Sequence, residues 1–167
     1  LRILFNQNKI EFCSVRASNV YGECQRLYRI IPKTIFSILN KTKLNLDGGG
    51  KSIRNFIHID DVSEATYKVM KSGTSGEIYH ISGNIMISIK GLVKKICKKM
   101  DYNFSDLVKQ SSDRKGKDKF YSLSNKKLSK QYNWKPRISL DLGLDKCIKW
   151  IKNNNYYFDK KDQFYIH

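Results

Sequence analysis

The chain has 167 residues, of which 40% are apolar and 12% aromatic, enough for one folded domain with a hydrophobic core. This composition excludes a chain that is disordered throughout. No apolar run approaches the roughly 18 residues of a membrane span, so we expect no membrane partner. The formal net charge of +17 leaves a polyanion such as nucleic acid open as a partner.

The positive charge includes a lysine-rich side of one predicted helix, and the sequence has no arginine-rich tract or recognition-helix motif. Such a distribution is typical of a solvated helix face. Nucleic-acid binding therefore stays an alternative and is not the leading interpretation. The lysines on that helix side are Lys90, Lys94, Lys95, Lys98 and Lys99.

The four cysteines are far apart, without a Cys-x-x-Cys pair or a histidine at metal-ligand spacing. We therefore expect no metal site and a reduced, cytoplasmic protein. Cys97 and Cys147 fall on apolar helix faces, where cysteine behaves as a small apolar residue. The first residue is Leu1 and not methionine, so we expect a fragment of a longer protein.

The first predicted strand leads to the first candidate site. Residues 1–9 have the pattern of the last turns of a helix, and Ile10–Arg16 suits a buried strand. Small and polar residues follow over Ala17–Gly22. Ligands bind at the carboxyl ends of strands in open α/β sheets, so this segment is a candidate binding site.

A glycine turn and two cations form the second candidate site. Pro32 suits the start of a helix that ends before Leu44. Gly48–Gly50 then predicts a flexible turn, which Lys51 and Arg54 follow. Such a turn allows backbone amides and cations to close on an anion. We therefore predict binding of a phosphorylated small molecule.

A strand over Phe56–Ile59 leads from this turn into a helix that begins at Asp60 or Asp61. Acidic residues suit the positive N-terminal end of a helix, a simpler interpretation than a catalytic or metal-binding pair. The apolar face of this helix carries Val62, Ala65 and Val69.

The rest of the chain alternates short strands and helices after a break at Gly73–Gly76, and this alternation predicts an α/β fold with a small mixed domain. The predicted elements are a strand over Ile78–Ile81, a helix over Ile89–Met100, a polar loop over 101–119, a strand over Phe120–Leu123, helices over 125–132 and 140–152, and a frayed polar tail over 153–167.

Three segments, in order, resemble the extended short-chain dehydrogenases/reductases, the NAD-dependent epimerase/dehydratase family. Val15–Gly22 is similar to that family's Arg-x-x-Asn-Val-Tyr-Gly segment. Gly50–Val62 is similar to its block of glycine, arginine, aspartate or asparagine, an aromatic residue and His/Tyr-Val-x-Asp. Gly76–Gly83 is similar to Gly-Glu-x-Tyr-Asn-Ile-Gly-Gly, with His80 and Ser82 in place of asparagine and glycine.

Two later segments indicate the branch of that family. Asp113–Tyr121 resembles the Asp-Arg-Pro-Gly-His-Asp-x-Arg-Tyr segment of the dTDP-glucose 4,6-dehydratases, with Lys115 and Lys117 in place of proline and histidine. Leu128–Pro136 resembles their Leu-Gly-Trp-x-Pro region. Leu44–Asp47 departs from the Pro-Val-Tyr that dTDP-sugar enzymes carry beside the base, which leaves the base open.

The resemblance implies a fold in two parts: the last part of a Rossmann-type parallel sheet, and the small mixed α/β substrate-binding domain of the family. Residues 1–22 would end an incomplete NAD-binding domain. Residues 23–152 would bind the nucleotide sugar, with 56–83 returning to the Rossmann sheet, and 153–167 would form the C-terminal tail.

The resemblance also implies the site residues. Guanidinium groups bind phosphate oxygens bidentately and an asparagine amide adds a neutral donor, so these residue types suit a diphosphate. Two residues would lie near the nicotinamide of NAD and four would bind the nucleotide-diphosphate sugar: Ala17 and Ser18 for the cofactor, and Asn19, Arg29, Arg54 and Arg114 for the substrate.

The implied reaction is oxidation of the sugar at C4 by NAD, loss of water across C5–C6 and return of the hydride to C6. The sequence contains no Gly-x-Gly-x-x-Gly turn. Its three Tyr-x-x-x-Lys matches lie in the helix after Asp61 or in the tail, away from the position that the family uses. We assign no catalytic residue to the chain, and the matches are Tyr67/Lys71, Tyr156/Lys160 and Tyr157/Lys161.

A different class of protein fits the same residues. The chain could be a non-catalytic remnant or an interaction module that keeps this fold without the ligand. In either case the Ile10–Arg16 strand and the Val62, Ala65 and Val69 face would be exposed apolar surface. We therefore expect a complementary N-terminal Rossmann segment or a second copy of the chain as a partner.

Overall fold

The computed structural model describes residues 3, 6–7, 10–112, 116, 118–159 and 162. Its strands are β1 Ser14–Ala17, β2 Asn19–Tyr21, β3 Leu44–Asp47, β4 Ile53–His58, β5 Ile78–Ile81, β6 Met86–Ser88, β7 Val108–Ser111 and β8 Phe120–Tyr121. Its α-helices are α1 Ile30–Leu39, α2 Ile59–Ser72, α3 Ile89–Lys99, α4 Phe104–Leu107, α5 Lys126–Tyr132 and α6 Leu140–Asn154. None of the helices in these ranges is long and apolar enough to cross a membrane.

Most strand pairs are parallel. β1 pairs with β5 in parallel, with Ser14 opposite Ile78. In the central sheet β2 and β8 are parallel to β4, whereas β6 is antiparallel to it. β3 pairs with β7 in parallel. This mixed α/β architecture with parallel strands confirms the predicted fold class, while the domain boundaries stay a prediction.

The core has two apolar clusters. The larger one joins α1, α3 and α6 and contains the inward side of α3, as the helical spacing predicts: Leu92, Val93, Ile96 and Cys97. The smaller one joins α2 to β5 through Ala65, Val69 and Tyr79. The expectation of an exposed α2 face is therefore wrong for Ala65 and Val69, which are 0% and 2% exposed. Both side chains pack against residues of this same chain.

Several boundaries differ from the predictions because long-range pairing sets them. β1 begins at Ser14 and not at Ile10, since the Phe12 amide donates to Ser75 Oγ (3.2 Å) outside any regular ladder. β4 begins at Ile53 because β6 and β8 pair with its first residues. The predicted loop over 101–119 contains α4 and β7, and β7 pairs with β3.

The ends of the chain differ as well. The helix predicted over residues 1–9 lies mostly outside the described residues, although Ile3, Asn6 and Gln7 are helical. The tail is not frayed throughout: α6 extends to Asn154, and the Phe158 ring centre lies 6.2 Å from that of Phe36. Phe158 therefore packs against α1.

The acidic pair begins a helix, as predicted. His58 is the N-cap of α2, and its Nδ1 accepts a hydrogen bond from the Asp60 amide (3.3 Å). Asp61 is 2% exposed, and its two carboxylate oxygens accept the backbone amides of Arg137 (2.9 Å) and Ile138 (3.1 Å). Asp61 therefore holds the segment before α6 against the first turn of α2.

We predict that Asp61→Ala lowers the free energy of unfolding by about 1–3 kcal/mol, because two part-buried backbone amides lose their acceptor on a buried carboxylate. Urea denaturation measures the loss. Asp145→Ala is the matched control, since that carboxylate is 58% exposed and its described partner is the Lys99 ammonium at 2.8 Å. Equal losses in the two variants would show that Asp61 has no special structural role.

Candidate functional site

A cavity of about 1100 Å³ is lined by the end of β1, by β2 and by part of β4. Its walls are the segment from the end of β1 into the loop after β2, the start of α1, and part of β4, with Ile89 and Tyr121 at its border. The carboxyl end of β1 thus opens into it, as expected for a parallel sheet. A cavity of this size can enclose a nucleotide-sized ligand.

Ala17 and Ser18, the predicted cofactor contacts, both line this cavity. Ala17 ends β1 and Ser18 joins β1 to β2. The Ser18 amide donates to the Ile81 carbonyl oxygen (2.9 Å), and its hydroxyl donates to Asn55 Oδ1 (2.9 Å). Ser18 is thus fixed through both its backbone and its side chain.

Asn19 lines the same cavity and is the first residue of β2. Its side-chain amide donates to the Asn55 carbonyl oxygen (2.8 Å). β2 pairs with β4 through Asn19 opposite Phe56. The side chain of Asn19 is therefore held against the backbone of β4 at Asn55.

Arg54 also lines the cavity, but it lies on strand β4 and not in the loop that the glycine turn suggested. It stands opposite Tyr121 of β8 and is half-buried. Its guanidinium donates to the carbonyl oxygens of Ile53 (2.8 Å) and Asp118 (2.6 Å). A guanidinium has five N–H donors, so these two contacts leave donors for an anion.

Arg29 and the start of α1 form another wall of the cavity. Arg29 is the exposed N-cap residue of α1, and its guanidinium carbon lies 5.2 Å from the centre of the Tyr28 ring. The helix has no side-chain cap and no acidic residue in its first turn. The first turn of this helix therefore contributes no carboxylate that would offset the partial positive charge of the helix end.

The glycine turn does not line the cavity. Gly48–Gly50, Lys51 and β3 are absent from the lining of the cavity, so the prediction that Lys51 closes on an anion is not supported. All three glycines have positive φ, and a Cβ on Gly50 would lie 2.8 Å from the Lys90 amide nitrogen. Glycine is required here for the backbone. Arg114 lies outside the described residues.

Sequence reasoning missed Asn55 and Glu23. Asn55 is 3% exposed and bonds Ser18 and Asn19, and its place beside Arg54 in the family block is the signal that could have found it. Glu23 lines the cavity, with Oε2 3.2 Å from Nε2 of the fully buried His58 but not aligned for a hydrogen bond. Neither residue stood out in composition or spacing.

Two arginines and a helix N-terminus line the cavity together with the carboxylate of Glu23, and the arginines and the helix end are groups of the kind that bind and orient anions. Within the described ranges, no group of three or more His, Cys, Asp or Glu side chains is arranged to hold a metal ion. The arrangement thus has the chemistry of a binding site for a phosphorylated ligand.

Comparison with known proteins agrees with this geometry. Residues 1–82 match the model of the NAD dependent epimerase/dehydratase family. The chain is 31% identical over 155 residues to the dTDP-D-glucose 4,6-dehydratase of Homo sapiens, covering 90% of this chain and 44% of that protein. It is 29% identical over 153 residues to the dTDP-glucose 4,6-dehydratase of Escherichia coli, covering 86% and 42%.

A solved structure has the same fold. The dTDP-glucose 4,6-dehydratase DesIV from Streptomyces venezuelae, with NAD and TYD bound, superposes with a TM-score of 0.91 and 28% identity over 95% of this chain and 49% of that one. The chain spans about half the length of the relatives it matches. Family model, relatives and fold together show that this chain belongs to the NAD-dependent epimerase/dehydratase family of extended short-chain dehydrogenases/reductases.

Proposed function

We propose that the chain is the substrate-binding portion of an NAD-dependent nucleotide-sugar dehydratase or epimerase, with dTDP-glucose 4,6-dehydration as the leading reaction. The observation that carries this proposal is the convergence of separate sequence segments on one cavity. The predicted residues that line it are Ala17, Ser18, Asn19, Arg29 and Arg54.

The diphosphate of the ligand would be bound by Arg54 and Arg29, with the amide of Asn19 as a neutral donor. Arg54 is directed by two backbone carbonyl oxygens, which orient the guanidinium without neutralising its charge. Arg29 stands at a helix end that itself favours negative charge. Arg114 is proposed as a further contact on the resemblance alone.

The residues at the end of β1 fit one end of NAD. Ala17 and Ser18 line the cavity beside the substrate contacts, and a small side chain at each position lets a planar ring approach the backbone closely. NAD, when bound, accepts a hydride from the sugar and returns it. The chain contributes orientation at this end, and its sequence has no glycine-rich turn for the pyrophosphate of NAD.

A partner for the first strand belongs to the same proposal. Among the described strands β1 pairs only with β5, which leaves its other edge available to a further strand. A cavity of about 400 Å³ lies between β1 and α2, with Val15, Val69 and Met70 in its lining. We propose that a complementary Rossmann segment covers this surface, in the same chain or another, and that residues 1–22 belong with it.

Light scattering on the isolated chain tests the partner proposal. Because an open strand edge and the exposed Met70, 72% accessible, favour association, we expect species larger than a monomer. Addition of a soluble complementary segment would replace self-association by a defined complex. A monodisperse monomer across the concentration range would contradict the proposal.

We predict that Arg54→Ala weakens binding of dTDP or UDP by about 1–2 kcal/mol, because a charge-assisted contact to phosphate is lost. Isothermal calorimetry measures the affinity. Arg137→Ala is the matched control, since that side chain is 72% exposed and pairs with Glu64 away from the cavity. Equal affinity of the Arg54 variant and the unaltered chain would remove Arg54 from the site. No saturable binding of any nucleotide sugar by the unaltered chain would favour the non-catalytic module.

We further predict that the 167 residues alone, given NAD and dTDP-glucose, form no dehydrated sugar, because they supply binding groups and neither the dinucleotide turn nor a placed Tyr-x-x-x-Lys pair. Mass spectrometry of the nucleotide sugar detects the loss of one water. A full-length dTDP-glucose 4,6-dehydratase is the positive control. Measurable turnover would show that the chain contains catalytic groups that we have not assigned.

A further inference from the structure

Asn55 is a buried side chain whose hydrogen-bonding groups are all used. It is 3% exposed. Its Oδ1 accepts from the hydroxyls of Ser18 (2.9 Å) and Ser82 (3.0 Å) and from the Gly83 amide (2.7 Å). Its Nδ2 donates to the carbonyl oxygens of Gly83 (2.7 Å) and Ile85 (3.1 Å). The acceptor side thus faces three donors, and the donor side faces two carbonyls.

These contacts connect two separate sheets at the edge of the cavity. Asn55 belongs to β4 of the central sheet, whereas Ser18 and Ser82 directly follow β1 and β5 of the other sheet. No backbone ladder joins these two sheets among the described strands. The Asn55 side chain is therefore a direct hydrogen-bonded connection between them beside the ligand cavity.

The connection holds the site residues of both sheets. Ser18 bonds the Asn55 side chain, and Asn19 bonds the Asn55 carbonyl oxygen. Arg54 precedes Asn55 on β4, and side chains alternate along a strand, so Arg54 points to the opposite face. Asn55 thus fixes the positions of Ser18, a proposed cofactor contact, and Asn19, a proposed substrate contact, relative to Arg54.

We propose that Asn55 is a positioning residue for the nucleotide-sugar site, and that this chain requires the amide and not a carboxylate there. The proposal rests on the proposed function, because it concerns the same cavity. An Asn55→Asp substitution would keep the acceptor for Ser18 and Ser82. It would also place a second carboxylate oxygen where Nδ2 now lies, close to the carbonyl oxygens of Gly83 and Ile85.

The charged form of the introduced carboxyl group would be disfavoured, since it is buried and faces carbonyl oxygens. Its pKa in the folded variant would rise above the unfolded value. At acidic pH the carboxyl group is protonated and can donate a hydrogen bond, so the stability of the variant would then approach that of the unaltered chain. The variant would lose stability as the pH rises through the folded pKa. None of the hydrogen-bond partners of the Asn55 side chain is titratable, and the guanidinium of adjacent Arg54 bonds backbone carbonyls.

The experiment compares Asn55→Asp with Asn45→Asp by titration of dTDP and UDP at mildly acidic and mildly alkaline pH. Asn45 is the matched control, because it is exposed on β3 and does not line the cavity. At alkaline pH we expect the Asn55 variant to bind these nucleotides about 5- to 100-fold more weakly than the unaltered chain, as for a broken buried contact. At acidic pH we expect its affinity to recover toward that of the unaltered chain. Unchanged affinity at alkaline pH would overturn the proposal.

Ser82→Ala is a second variant in case Asn55→Asp does not fold. It removes one donor to Asn55 Oδ1 without touching the cavity lining. A severalfold loss of nucleotide affinity would support the positioning role, and unchanged affinity would overturn it.

Amide hydrogen exchange separates this inference from the proposed function. If the unaltered chain binds no nucleotide, the proposed function fails, and the geometry is tested by exchange alone. Faster exchange confined to residues 17–22 and 82–88 in the Asn55 variant, compared with the unaltered chain at the same pH, would support the connection. Unchanged exchange there, or a uniform increase that includes α3 and α6, would overturn it.

Discussion

The pairing of β4 is the constraint on which the site depends. Its first residues pair with β6 and β8, and its last residues pair with β2. Alternation along this strand then assigns the roles of its side chains. Arg54 and Phe56 line the cavity, while Asn55 bonds the residues that follow β1 and β5. His58, at the end of the strand, caps α2. A shift of one residue in register would exchange the cavity face for the buried face.

Sequence patterns predicted the helices well, because apolar spacing and the residues at helix ends act within a helix itself. The apolar spacing of α3 predicted a helix, and the side chains on its inward face are buried as expected. The acidic start of α2 was predicted for the same reason, since the helix end favours negative charge. The short-range pattern did not show β7, because its partner β3 is distant in sequence and Leu44 stands opposite Val108. Pairing of this kind is a tertiary property that can override local polarity.

The candidate site was predictable as a set of residue types and not as a geometry. Resemblance identified Asn19, Arg29 and Arg54, and these residues line one cavity. It gave no indication that Arg54 lies on a strand, because the strands that pair with Arg54 are distant in sequence. Its partner in β6 is Ile87, 33 residues later (87 − 54), and its partner in β8 is Tyr121, 67 residues later (121 − 54). Asn55 was missed for a related reason. A buried amide shows its importance only when its partners are known, and Ser82 and Gly83 are remote in sequence.

The distribution of charge bears on whether a chain of net charge +17 would bind a small anion or a polyanion. On the outer side of α3 and α6, cations are paired with carboxylates: Lys95 lies 2.8 Å from Asp141, and Lys99 lies 2.8 Å from Asp145. These pairs are exposed and screened by salt, and they offer little net attraction to a ligand.

The contacts described for Arg54 are of another kind. They are carbonyl oxygens, which orient a guanidinium but carry no formal charge to cancel its own. The Arg54 guanidinium is therefore fixed in direction at the cavity, and neither of these two described contacts is a carboxylate. A diphosphate at the cavity would exchange water for a donor that is already oriented, so less side-chain ordering would be required on binding than at long lysine side chains on the surface. This difference in how the cations are held favours a small bound anion at the cavity over diffuse contact with a polyanion.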